Sequence, residues 1–347
     1  MKKTIVILFL TLAVFFGIAL NGCSKNHDVS ARTTPLNFSI PAGFPEPAYK
    51  FEGNPLTKEG FELGRKLFYD GILSKDGNFP CSSCHQQFAA FSTFEHDLSH
   101  GFNNQFTSRN APGLFNLVWK KELHWDGGIN HIEVQALAPI TAPNEMAEEI
   151  NAVVTKLQQS SIYRKMFSQA FGSEEINSQK MLKAITQFMG SMVSANSRYD
   201  KMKRGELVFN QAEKTGYGIF QAKCASCHQE PLFTDMSYRN NGLPLNPSLR
   251  DFGRMRITNK KEDSLKFKVP SLRNVFLSFP YGHDGRFFSL DNVLNHYATG
   301  IQNSATLDPL LKNKISLGNE ERYYIKTFLA TLTDSTFIND KRFSQPQ

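Results

Sequence analysis

The sequence predicts a mainly α-helical protein built from two related helical domains. Three observations carry this. Apolar residues recur at helical spacing in several segments: Met146, Ile150, Val153, Val154 and Leu157; Met181, Leu182, Ile185, Phe188, Met189 and Met192; Ile325, Phe328, Leu329 and Leu332. Alternating patterns of half-buried strands are scarce. One short cysteine–histidine pattern occurs twice, and other motifs repeat with it. The 347 residues suit about two domains, and 40% hydrophobic against 20% charged content supplies real cores. The net charge of +7 is spread without blocks of like sign. That makes nucleic acid a poor partner and leaves room for an acidic docking partner.

Residues 1–22 read as a lipoprotein signal peptide. Lys2 and Lys3 precede an apolar run from Ile5 to Leu20, too short for a spanning helix. The run ends at Leu20-Asn21-Gly22-Cys23, which resembles a bacterial lipobox, so Cys23 is the expected lipidated N-terminus. Residues 23–56 carry Pro35, Pro41, Pro45, Pro47 and Pro55 and are expected to form an extended, little-packed tether. The expected location is the periplasm, anchored by lipid to a membrane.

The other four cysteines form Cys81-Ser82-Ser83-Cys84-His85 and Cys224-Ala225-Ser226-Cys227-His228. C-x-x-C-H is the attachment signature of c-type haem. Two thiols bond the porphyrin vinyl groups, and the adjacent His reaches the iron as proximal ligand. A zinc site fails because 143 residues separate Cys81 from Cys224 and both histidines go unexplained. A thioredoxin-like redox pair is the other rival. Two covalent haems are therefore expected, on Cys81, Cys84 and His85 and on Cys224, Cys227 and His228.

The surroundings repeat as well. Gly64 to Phe68 precedes the first motif and Gly216 to Phe220 the second, each reading as a cytochrome c-like helix entering a haem site. At an offset of 158 residues Pro112, Leu114 and Asn116 pair with Pro270, Leu272 and Asn274, and Asp126-Gly127 with Asp284-Gly285. The second half carries about 15 more residues between its motifs, placed in the loop-like stretch 229–265. The expected plan is two cytochrome c-like helical domains, 57–199 and 200–335, with a tail at 336–347.

Taken together, the motifs resemble those of the bacterial di-haem cytochrome c peroxidase family, which includes MauG. They are Arg109-Asn110-Ala111-Pro112, Trp125-Asp126-Gly127, Pro139-Ile140 with Glu145-Met146, Val269 to Asn274 and Pro280 to Gly285, within a resemblance running from about Gly60 to Thr333. The resemblance implies an N-terminal haem that reacts with hydrogen peroxide, a C-terminal haem that relays electrons and a calcium ion between them. It places Gln135 and Glu145 in the peroxide pocket. A carboxyl in an apolar pocket can move a proton between the peroxide oxygens. Glu145 also reads as a helix N-terminal carboxylate after Pro143. At offset 158 these positions become Val293 and Asn303, so peroxide chemistry belongs to the first half alone. Trp125 matches the family's tryptophan between the haems, an electron conduit, and its counterpart is His283. Asn110, with the carbonyls of Ser278 and Pro280, matches the family's calcium ligands, a weak set.

The distal iron ligands are less settled. His100 sits near the family position for the first haem, with His96 as the alternative and a solvent-exposed loop histidine as the plain reading. At the second haem the peroxidases use Met, yet no Met follows Met255. The aligned residue is Tyr297, as in MauG. Ser289 is a suitable N-cap for a helix with Leu290, Val293, Leu294 and Tyr297 on one face and Gly300 as C-cap. His296 is then rotated about 100° away. The expected function is reduction of hydrogen peroxide with electrons from a small periplasmic cytochrome c or cupredoxin, or MauG-like high-valent oxidation of a protein substrate. The alternative is a non-enzymatic electron-transfer cytochrome.

Overall fold

The computed structural model describes residues 33–347; the expected signal peptide and Cys23 lie outside them. The longer helices are α1 (Lys58–Tyr69), α2 (Ile150–Gln159), α3 (Ser161–Phe171), α4 (Ser178–Gly190), α5 (Gln211–Lys223) and α6 (Asn319–Ala330). Regular sheet among the described residues is one antiparallel pair, β1 (Tyr238–Arg239) with β2 (Phe267–Lys268). None of the described helices is long and apolar enough to cross a membrane.

Each half is built on one helix crossing. In the first, α1 packs on α4; in the second, α5 packs on α6. The same residue type permits both. A Cβ at Gly64 would collide with the Ala184 carbonyl, and one at Gly216 with the Tyr324 carbonyl. Glycine lets the backbones close in, and the aromatic ring one turn on, Phe68 or Phe220, is fully buried beneath the crossing. The apolar stripes read from the sequence supply these cores: Met181, Ile185, Phe188 and Met192 in one, Ile325, Phe328 and Leu332 in the other.

Two expectations on the termini need correction. Residues 33–56 are not a loose tether. Leu36 N–H donates to the Leu56 carbonyl at 2.9 Å, and Trp119 Nε1 donates to Pro45 O at 2.7 Å. Phe38, Phe44, Tyr49 and Phe51 lie on the first core, so aromatic burial outweighs the openness that prolines suggest. The segment after 335 is likewise no free tail. Phe337 and Phe343 are buried beside Phe91, and Tyr69 Oη donates to Phe343 O at 2.7 Å.

The stretch 229–265 closes over the first half rather than hanging as a loop. Its Asp251 receives a bidentate bond from Arg109, at 2.6 Å from Nε and 2.9 Å from Nη2, while Arg109 Nη1 holds Asp126 at 2.6 Å. Arg254 reaches Glu122 at 3.2 Å and stacks 3.8 Å over the Tyr238 ring. Burial alone would raise the Asp251 carboxyl, but the Arg109 bond and charge hold it below the ordinary range.

Candidate haem and peroxide site

The two cysteine motifs adopt the same local form. Cys81–Cys84 is one helical turn, closed by His85 N–H donating to Cys81 O at 3.0 Å. In the second half α5 ends at Lys223 with Cys224 as its C-cap, and His228 N–H donates to Cys224 O at 3.0 Å. Each turn gathers two thiols and an imidazole. His85 Nδ1 bonds Phe91 O at 2.8 Å; His228 Nδ1 lies 3.2 Å from Phe233 O and 3.1 Å from Pro270 O. The carbonyls fix each ring with Nε2 as the free nitrogen, the arrangement an iron-ligating histidine needs. The four cysteines are unpaired, and burial pushes the Cys81 and Cys224 thiols up to about 12. Burial also holds His85 near 4 and hence neutral, the ligating form. These residues fit a covalently attached haem in each half.

Glu145 lies in a turn between the short helix Leu137–Thr141 and α2, which starts at Ile150. Its reading as a first-turn helix carboxylate is therefore corrected. Burial raises its pKa, and its charge adds to the rise at the Cys84 thiol of the first motif. The loop carrying His100 is fastened to this turn. Phe102 N–H donates to Glu145 O at 2.7 Å, and Asn144 Nδ2 to Phe106 O at 2.9 Å. His100 itself is exposed, edge-on to His96 with ring centres 5.5 Å apart. Gln135 follows the 3-10 turn Ile132–Val134, and its Oε1 is buried without a donor.

Trp125 is held at the junction of the halves. Its Nε1 donates to Asn110 O at 2.9 Å, and its own carbonyl receives Lys268 N–H from β2 at 2.7 Å. Asn110 N–H donates to His283 O at 2.8 Å, so the expected calcium region and the tryptophan share one backbone relay. His283, the counterpart of Trp125, stacks on Phe267 with ring centres 3.6 Å apart. Ser278 and Pro280 lie in the loop leading to His283. Among the described residues no cluster of three or more His, Cys, Asp or Glu is placed to hold a metal ion.

At the second site Ser289 caps its helix as expected, its Oγ accepting from Asn292 N–H at 3.1 Å. The helix Leu290–Asn295 then widens into a π turn, His296–Gly300, which changes the register. Gly300 ends that turn from inside instead of capping an α-helix. His296 is buried, with Nε2 2.9 Å from Asn241 O. Tyr297 is half-buried against Ile301, Leu307 and Leu311, its hydroxyl pushed up to about 12 by burial, with Cys227 and Cys224 adding to the rise.

The family model for di-haem cytochrome c peroxidase matches residues 58–207. The methylamine utilization protein MauG of Methylorubrum extorquens is 34% identical over 303 residues, covering 85% of this chain and 83% of that protein. The chain belongs to the di-haem cytochrome c peroxidase/MauG family. Cytochrome c551 peroxidase of Nitrosomonas europaea is also 34% identical, over 80% of this chain and 81% of its own. A solved MauG-like protein associated with microbial copper homeostasis superposes with a TM-score of 0.83 at 32% identity, over 90% of this chain and 99% of that one. The chain is thus a di-haem oxidoreductase of peroxidase or MauG-like type, with two cytochrome c-like domains. Sequence reasoning passed over His124, which lies between the bridge residue Leu123 and Trp125; its only signal was a position next to a recognised motif.

Proposed function

We propose that this protein reduces hydrogen peroxide at its first haem and feeds electrons in through its second, across Trp125. The observation that carries this reading is the asymmetry at Glu145. A half-buried carboxyl whose pKa is raised by burial stands in the first half, and the equivalent residue in the second half is Asn303. Bound haem supplies redox-active iron and a site for the peroxide oxygen. The chain supplies the rest. Glu145 takes a proton from the near oxygen and returns it to the far one. Gln135 orients the peroxide. Turning one peroxide into two waters consumes two electrons and two protons, so the electrons come from a small cytochrome c or cupredoxin docking on the second half.

Tyr297 favours a MauG-like variant. A phenolate is a hard anionic donor that stabilises oxidised iron, where a Met thioether favours the reduced metal. In that variant the oxidising equivalents go to a protein substrate. His100 serves as a displaceable cap on the first iron. Asn110 with the Ser278 and Pro280 carbonyls holds a calcium ion weakly, because neutral oxygens dominate the set. Cys23 anchors the enzyme by lipid in the periplasm, and residues 57–199 and 200–335 are its two haem domains. Titrating the haem-loaded protein with hydrogen peroxide while recording its spectrum tests the reading. Spectral change saturating near one equivalent is expected. A spectrum indifferent to peroxide would leave a plain electron-transfer cytochrome.

A further inference from the structure

The duplication supplies an internal control for one residue. In the first half Leu123 bridges Ile129, with Leu123 N–H donating to Ile129 O at 2.6 Å; in the second half Tyr281 bridges Phe287, at 2.7 Å. These are the same hairpin at the 158-residue offset. Both turns need two residues with positive φ. Gly127 (φ 74) and Gly285 (φ 67) fill one place; His124 (φ 66) and Gly282 (φ 92) fill the other. Glycine is the undemanding residue for such a conformation, and the second half uses it twice. The first half places a histidine there, at a cost in backbone strain. Strain of this kind points to a use for the side chain.

That side chain stands beside Gln135, whose interaction is felt by the imidazole, and within electrostatic reach of His85. The Gln135 Oε1 atom is buried and lacks a donor. A buried amide oxygen without a partner costs free energy, and a neutral imidazole carries one N–H that can satisfy it. We infer that His124 is a positioning residue for peroxide: its ring N–H donates to Gln135 Oε1 and so turns the Gln135 amide N–H toward the first haem. Burial lowers the His124 pKa, which favours the neutral ring with its one donor and one acceptor nitrogen. The inference rests on the pocket role of Gln135 and adds the group that fixes its orientation. The second half has no such pair, since Gly282 and Val293 stand at the two positions.

The test is a double-mutant cycle on the haem-loaded enzyme, read by the stopped-flow rate constant with hydrogen peroxide. Gln135→Leu is expected to slow the reaction about 10²-fold, the loss typical of one oriented donor. His124→Phe is expected to slow it about tenfold, the effect of one hydrogen bond. The double variant should be no slower than Gln135→Leu alone. His124→Gly should relieve the turn, leaving the melting temperature unchanged or higher, and still slow the reaction like His124→Phe. A slow Gln135→Leu beside an unchanged His124→Phe refutes the positioning role and leaves the pocket role standing. Additive losses in the double variant also refute it. An unchanged Gln135→Leu rate overturns the pocket role and the inference with it.

Discussion

The N–H of Lys268 donates to the carbonyl oxygen of Trp125 at 2.7 Å. One hydrogen bond thus ties the short sheet of the second half to the backbone of Trp125 in the first. Around it the Arg109–Asp251 and Arg254–Glu122 pairs close the junction. The conduit role proposed for Trp125 requires its distance and orientation to stay fixed. Asp251 and Arg254 of the stretch 229–265 supply that rigidity.

Glu145→Gln should slow the stopped-flow reaction with hydrogen peroxide by about 10²–10⁴-fold, the usual contribution of a general acid–base group. The amide keeps the size of the carboxyl and the 2.7 Å bond from Phe102 N–H, which uses the backbone. Both haem spectra should therefore stay unaltered. A rate equal to wild type would remove Glu145 from the chemistry.

Asp251→Asn should destabilise the junction. Asp251 is 3% exposed and bonded twice to Arg109. Removing one charge of a buried pair costs about 3–5 kcal/mol when the other charge is left alone; Arg109 keeps Asp126 at 2.6 Å, so the loss here should fall below that range. The pH dependence has a definite sign. The folded pKa of Asp251 is depressed, so its stabilisation is complete above the unfolded value of about 3.9 and fades as pH falls through the folded one. Melting temperatures measured from pH 7 down to pH 3 should fall less steeply in the variant. Parallel curves would show that the pair contributes little.

How much of this was legible in the sequence depended on range. The CxxCH motifs and the helix stripes are local, and local chemistry fixes them. Ser289 as N-cap followed from its hydroxyl and the apolar run after it. The π turn at His296 did not, because periodicity assumes about 100° per residue and one wide turn breaks the count. Burial of Phe38, Phe44, Phe337 and Phe343 depends on a core assembled from distant segments. Arg109 finds Asp251 142 positions away, and nothing in either neighbourhood announces the pairing.

Replacing Cys224 and Cys227 together by Ala should leave one covalent haem per chain. The first-half turn is built from Cys81 to His85 and Phe91, with no contribution from the second pair. Haem stain on a denaturing gel should fall to about half, scaled to one of two sites. Full staining would sink the assignment of the second motif.

Tyr297→Phe should alter the spectrum of the second haem and raise its reduction potential. No methionine follows Met255 to serve as the distal ligand. His296 is spent elsewhere, its Nε2 2.9 Å from Asn241 O and its Nδ1 facing Gly300. Tyr297 is half-buried, and burial, with Cys227 and Cys224 adding to the rise, pushes its hydroxyl up to about 12. A phenol so placed ionises at neutral pH only if a cation faces its oxygen, and ferric iron is such a cation. The resulting phenolate would stabilise the oxidised metal, so its loss should raise the potential, and Tyr297→Met should raise it further. Neither substitution touches Glu145 or Gln135, so the first encounter with peroxide should keep its rate. A potentiometric titration followed by absorbance separates the outcomes. If Tyr297→Phe leaves both spectrum and potential intact, water or His296 holds the second iron, and the high-valent variant loses its support.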